Sequence, residues 1–288
     1  MNIRINYLFL TNLPDCKFHG MKIKLSLLLL IICSILSSCK LRMDKEINYE
    51  FGKYYNKYHL TGSFALYNQK KDKYILYNAS QFTENFTPAS TFKICNSLIG
   101  LESGVIKDEN FVLKWDSVVR QNPNWNCDQD LKTAFRNSTV WYYQELARRV
   151  DVLNMKYWMN KTAYGNADTT GGVDEFWLTG GLRISPNQQI DFLQRLDANI
   201  LPFSQRSMDI VKNIMIEKDS ANVVLRAKTG WGIMDNTNVG WYVGYIKTPD
   251  NTWFFSNCIQ SKDSTNKNFA TARKEIVFAI LKELKILK

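Results

Sequence analysis

The sequence predicts an α+β fold, with an antiparallel sheet flanked by helices and an all-helical lobe inserted into it. Three observations carry that expectation. Strand-like runs rich in aromatic and β-branched residues occur towards both ends of the chain, helical periodicity fills the middle, and a long apolar-periodic run closes it. Strands so far apart in sequence must meet in one sheet, because a lone hairpin cannot bury its apolar face.

The first residues stand outside that scheme. Met21-Lys22-Ile23-Lys24 is a basic start, Leu25 to Leu36 is an apolar run, and Leu36-Ser37-Ser38-Cys39 is a small-residue cleavage site ending in cysteine. The run is too short to span a bilayer comfortably, so residues 1–38 read as a leader whose signal peptide starts at Met21. The terminal cysteine makes it resemble the leader of bacterial lipoproteins. That resemblance implies export to the periplasm and a lipid anchor on Cys39. Residues 39–50 are polar and read as a tether, and residues 51–288 as a single domain.

Within that domain, Gly62 to Tyr67 and Tyr74 to Tyr77 flank a polar turn and predict a β-hairpin. A buried helix is expected to begin near Ser90, with Phe92, Ile94, Leu98, Ile99 and Leu101 on its apolar side. From about residue 104 to 221 the patterns are mainly helical, including Leu131 to Val150 and Pro186 to Leu196. Strand character returns at Val223 to Gly230, Val239 to Ile246 and Trp253 to Cys258. A helix from about Phe269 to Leu287 ends the chain.

Composition narrows the chemistry. Arg4, Lys17, Lys22 and Lys24 against Asp15 give residues 1–38 a net charge of +3, so +7 of the chain's +10 stays on the remainder. Those charges are scattered, which favours a solvated surface over a nucleic-acid interface. Beyond Cys39 the cysteines are Cys95, Cys127 and Cys258, an odd and widely spaced set with neither a disulfide framework nor a metal pattern. His19 lies in the leader and His59 is alone, so a multi-histidine zinc site cannot form and a Ser-His-Asp triad would rest on one residue. A serine enzyme of this composition needs another base.

Ser90 and Lys93 supply one. In Ser90-Thr91-Phe92-Lys93 the hydroxyl and the amine are one helical turn apart, on the same face. A lysine held out of water loses its charge and can take the serine proton. The tetrad alone is a weak signal. Ser138-Thr139-Val140, Tyr164-Gly165-Asn166 and Lys228-Thr229-Gly230 follow it in order, and S-x-x-K with K-T-G is a signature of penicillin-recognising serine enzymes.

The arrangement resembles the class D β-lactamases, the oxacillinases. Lys114-Trp115-Asp116, Trp125, Asp128, Gln144, Phe176-Trp177-Leu178 and Trp241-Val243-Gly244 extend the similarity across roughly residues 60–280. The resemblance implies a β-lactamase/transpeptidase-like fold, β-lactam substrates, no metal, and a serine acyl-enzyme on Ser90. It also implies that Lys93 carries a CO2-derived carbamate serving as general base for acylation and deacylation, with Trp177 bonded to it. Ser138 and Lys228 would pass a proton to the lactam nitrogen, and the backbone of Ser90 and Trp231 would hold the oxyanion. Thr229 and Arg273 would bind the substrate carboxylate, Gly230 would also contact the substrate, and Val140 and Leu178 would line the apolar side. Tyr164-Gly165-Asn166 shapes the site without a chemical step.

The chain departs from the family at Cys95 and Trp141, where proline is common, and at Thr179-Gly180, where an acidic and a bulkier residue are common. No catalytic group is lost by these changes; they bear on pocket shape. Two alternatives share the motifs: a β-lactam sensor domain, which tends to carry a polar residue at the Val140 position, and a penicillin-binding D,D-peptidase.

Overall fold

The computed structural model describes residues 44–287; the leader and the lipidation expected at Cys39 lie outside them. The predicted hairpin is β2 (Thr61–Asn68) with β3 (Lys73–Tyr77), paired antiparallel from Phe64↔Tyr77 to Asn68↔Lys73. Its turn is closed locally: the Asn68 side chain accepts from the Lys71 N–H, and Asp72 takes a left-handed φ of 48°.

The C-terminal strands are β4 (Ile216–Ser220), β5 (Val223–Met234), β6 (Thr237–Lys247) and β7 (Thr252–Ser261). They join the hairpin through β2 and β7, from Thr61↔Gln260 to Asn68↔Trp253. With β1 (Asp44–Ile47) at one edge, one seven-stranded sheet results, in the order β1-β3-β2-β7-β6-β5-β4. The α+β expectation is therefore met, with distant segments in a single sheet.

Alternation along β2 divides the core. Phe64 and Leu66 face one side, where Phe51, Tyr55, Phe255, Ile276 and Ile280 bury against them. Helices α1 (Gly52–Asn56) and α8 (Phe269–Glu283) supply that layer. Ala65 faces the other side, packed with α2 (Lys93–Glu102) and the lobe helices α3 (Leu131–Asn137), α4 (Val140–Val150), α5 (Val152–Thr162), α6 (Pro186–Asp197) and α7 (Gln205–Ile214). Leu98, Ile99, Leu146 and Leu193 are wholly buried there, each worth about 1.5–3 kcal/mol by removal from water.

Three features differ from the sequence expectation. Asp44–Ile47, read as tether, forms β1, which runs parallel to β3 and satisfies its outer backbone edge, so the sheet is not wholly antiparallel. The range 104–221 is not helical throughout: residues 104–130 are turns, bends and irregular coil with one short 3-10 turn at Pro123–Trp125, and β4 falls inside it. The Leu131 to Val150 pattern is two helices, because Ser138 turns left-handed (φ 55°) and ends the first.

Candidate active site

Ser90 lies in a short 3-10 turn, Ala89–Phe92, that runs directly into α2 at Lys93. Ala89, just before it, holds a left-handed φ of 47°, a conformation that costs a non-glycine residue energy and aims the turn at the sheet. Surrounding hydrogen bonds fix this turn. The Ala89 N–H donates to the Trp177 carbonyl (3.1 Å), the Thr91 hydroxyl donates to the Pro88 carbonyl (2.8 Å), and the Trp241 indole donates to the Thr87 carbonyl (2.8 Å).

Lys93 Nζ stands 2.9 Å from Ser90 Oγ. The lysine is completely buried, and desolvation, assisted by the charge of Lys228, pushes its pKa well below the ordinary lysine range. The Tyr143 ring lies 5.1 Å from Nζ. Trp177 is also fully buried, in contact with Phe92 (ring centroids 5.3 Å apart), and its indole N–H has no hydrogen-bond partner among the described residues.

Ser138 sits at the α3–α4 junction rather than inside a helix. Its hydroxyl is 3.0 Å from Lys228 Nζ, which also reaches the Thr229 carbonyl at 3.1 Å. Burial, with a smaller contribution from the Arg273 charge, lowers the Lys228 pKa to about 7. Arg273, on α8, donates to the Gly230 carbonyl (2.8 Å) and stacks near Trp231; burial lowers its pKa to about 10.

Strand β5 passes unusually close to the serine turn. A Cβ on Gly230 would lie 2.9 Å from the Pro88 carbonyl oxygen and 3.1 Å from Thr91, so only glycine permits the approach. Beyond Arg226, β4 no longer pairs with β5, which leaves an edge uncovered by any strand. The Ala227 N–H points off that edge, to the Met215 carbonyl (3.0 Å), and strand alternation puts the Thr229 and Trp231 N–H groups on the same side.

A cavity of about 380 Å³ opens here, lined by Ser90, Ser138, Val140, Thr229, Gly230, Trp231 and Arg273. Lys93, Trp177 and Lys228 stand behind its wall. Leu178 is half-buried beside Trp177 and is not among the lining residues. Tyr164 packs its ring on Phe92 (5.5 Å), and Gly165, with φ +56°, has the Arg183 carbonyl oxygen 2.1 Å from where a Cβ would be. Asn122, Trp125 and Asn137 also line the cavity. The two asparagines were not foreseen, because nothing in their spacing marks them.

A penicillin-binding protein transpeptidase domain model matches residues 56–282. The chain is 37% identical over 257 residues to β-lactamase OXA-48 of Klebsiella pneumoniae, covering 89% of this chain and 96% of that one. It belongs to the class D β-lactamases. A class D β-lactamase structure from Nostoc superposes with a TM-score of 0.79 at 43% identity, covering 83% of this chain and all of that one. The C-terminal domain of the Bacillus licheniformis BlaR penicillin receptor superposes equally well, with a TM-score of 0.80 at 33% identity over 86% of this chain and 99% of that one.

Trp141, a departure from the class D pattern, is nearly buried, and its indole donates to the Trp125 carbonyl (2.7 Å), anchoring the cavity wall. Cys95 is buried in α2, where desolvation drives its thiol pKa up and keeps it an unreactive core residue. Cys95, Cys127 and Cys258 are all free thiols.

Proposed function

We propose that this class D β-lactamase hydrolyses β-lactam antibiotics through an acyl-enzyme on Ser90, with a carboxylated Lys93 as base. The observation that carries the reading is the 2.9 Å contact between Ser90 Oγ and an amine whose charged form burial disfavours. An uncharged amine reacts with CO2, and the carbamate formed would supply a general base for both acylation and deacylation. The residues present suit that group. The Trp177 indole N–H is a buried donor without an acceptor among the described residues, a costly state that a carbamate oxygen would relieve. The Tyr143 ring lies over the amine at 5.1 Å.

In the proposed reaction Ser90 Oγ gives its proton to the base at Lys93 and bonds to the lactam carbonyl carbon. The N–H groups of Ser90 and Trp231 stabilise the oxyanion on the uncovered edge of β5. As the carbon–nitrogen bond breaks, Ser138 delivers a proton to the lactam nitrogen and is resupplied from Lys228. Thr229 and Arg273 hold the substrate carboxylate, and Val140 lines the apolar side of the cleft. No metal enters this scheme.

We further infer that the enzyme is exported to the periplasm and held at a membrane by a lipid on Cys39, the reading that the Leu36-Ser37-Ser38-Cys39 site supports. The mass of the mature N-terminal peptide checks it: a first residue other than acylated Cys39 would refute the anchor.

The likeness to the BlaR receptor domain favours a second reading, a sensor that stays acylated. Stopped-flow turnover of a chromogenic cephalosporin separates the two. Many cycles per enzyme establish the hydrolase; a single stoichiometric burst establishes the sensor or a transpeptidase.

A further inference from the structure

A second cavity, of about 420 Å³, lies on the other side of Thr229 from the catalytic cleft. It runs between α3, the start of β4 and the edge of β5. Its charged lining is Lys132, Arg136, Lys228 and Lys274 against a single carboxylate, Glu217. That carboxylate is already engaged: Lys274 donates to it at 2.8 Å and the Tyr242 hydroxyl at 2.9 Å. Lys132 and Arg136 are exposed, and among the described residues neither side chain has an ion pair or hydrogen bond. Lys132 also falls in the first turn of α3, where the helix dipole disfavours a cation.

The floor of this cavity is Lys228, nine-tenths buried and more, whose amine bonds, among the described residues, to only the Ser138 hydroxyl and the Thr229 carbonyl. The charges of Glu217 and Lys274 reach it from the cavity with opposite signs. Anything anionic bound there therefore acts on the residue that faces Ser138.

We propose that this groove is a binding site for a small polyvalent oxyanion, a phosphate or a compact di- or tricarboxylate, held by Lys132 and Arg136 beside the Lys274–Glu217 pair. Charge-assisted bonds from two cations unpaired among the described residues suit several oxygens on one compact ligand, and Arg136 can engage two of them at once. Because the occupied groove adds negative charge beside Lys228, the ligand modulates turnover without entering the catalytic cleft. The modulation rests on the β-lactamase reading above; the binding does not.

Calorimetric titration of the full chain with inorganic phosphate and, separately, citrate tests it, with ionic strength held constant by sodium nitrate. Saturable one-site binding is expected, weakened at least about tenfold in Lys132→Gln/Arg136→Gln, the scale of one lost charge-assisted bond. The variant should keep its anion-free turnover of a chromogenic cephalosporin within about twofold, since surface substitutions of this kind barely perturb the fold. Whichever of the two anions binds more tightly identifies the source chemistry and supports the site. Binding that survives in the double variant, that disappears in Arg273→Ala, or that competes with the cephalosporin would overturn the proposal. A chain that binds either anion in this way yet fails to turn over cephalosporin retains the site and loses only the hydrolase reading.

Discussion

Lys228 Nζ stands 3.0 Å from Ser138 Oγ and so ties the uncovered edge of β5 to the left-handed junction between α3 and α4. The sheet and the helical lobe meet in that contact, with the serine turn beside it. Rigid elements on both sides hold the groups, which suits catalysis by positioning and preorganised charge.

The burial of Lys93, which disfavours its charged form, leads to a direct spectroscopic expectation. With carbon-13 bicarbonate, the enzyme should give one carbamate resonance that is absent in Lys93→Ala, and that variant should lose about 10²–10⁴ in turnover, the range for a removed general base. A wild-type spectrum without the resonance would exclude the carbamate.

Trp177→Phe keeps an aromatic ring in the core and removes only the unpartnered indole N–H. Loss of a hydrogen bond to a charged group is worth about 1.5–3 kcal/mol, so deacylation should slow about 10- to 100-fold. Acyl-enzyme should then accumulate in the mass spectrum of a quenched reaction; release at the wild-type rate would take Trp177 out of the mechanism.

Gly230→Ala places a methyl group 2.9 Å from the Pro88 carbonyl oxygen, which forces β5 and the serine turn apart. Overpacking of this kind costs about 1–3 kcal/mol of stability. The catalytic loss should be larger, because β5 carries the Trp231 N–H and Thr229; kcat/KM is expected to fall about 100-fold, measured beside the denaturant midpoint.

Lys228 makes stability depend on pH. Its folded pKa, lowered by burial to about 7, lies below the ordinary 10.5, so between these values the unfolded chain binds the proton and the folded one does not. Stability therefore rises with pH through that window, by up to about 1.4 kcal/mol per unit from this group, and the full cost of burying the charge is felt below pH 7. Lys93 acts in the same direction. In Lys228→Met the slope should be shallower than in the wild type by that amount, as read from urea unfolding at a series of pH values; parallel slopes would count against a buried, depressed lysine.

The sequence by itself determined the hairpin, most of the other strands and helices, and the spacing that brings Ser90 and Lys93 together. Apolar periodicity and the one-turn spacing of Ser90 and Lys93 are local properties, readable from neighbours along the chain. Tertiary structure alone decided the rest. The parallel pairing of Asp44–Ile47 answers a need of β3's edge that no local pattern encodes. The left-handed backbone at Ala89 and Ser138 contradicts their residue preferences and survives only because packing on both sides imposes it. The recruitment of Asn122 and Asn137 to the cavity depends on loops whose course is set by contacts across the lobe. The displaced pKa values of Lys93 and Lys228 arise from exclusion of water, which is a property of the assembled core and not of any segment within it.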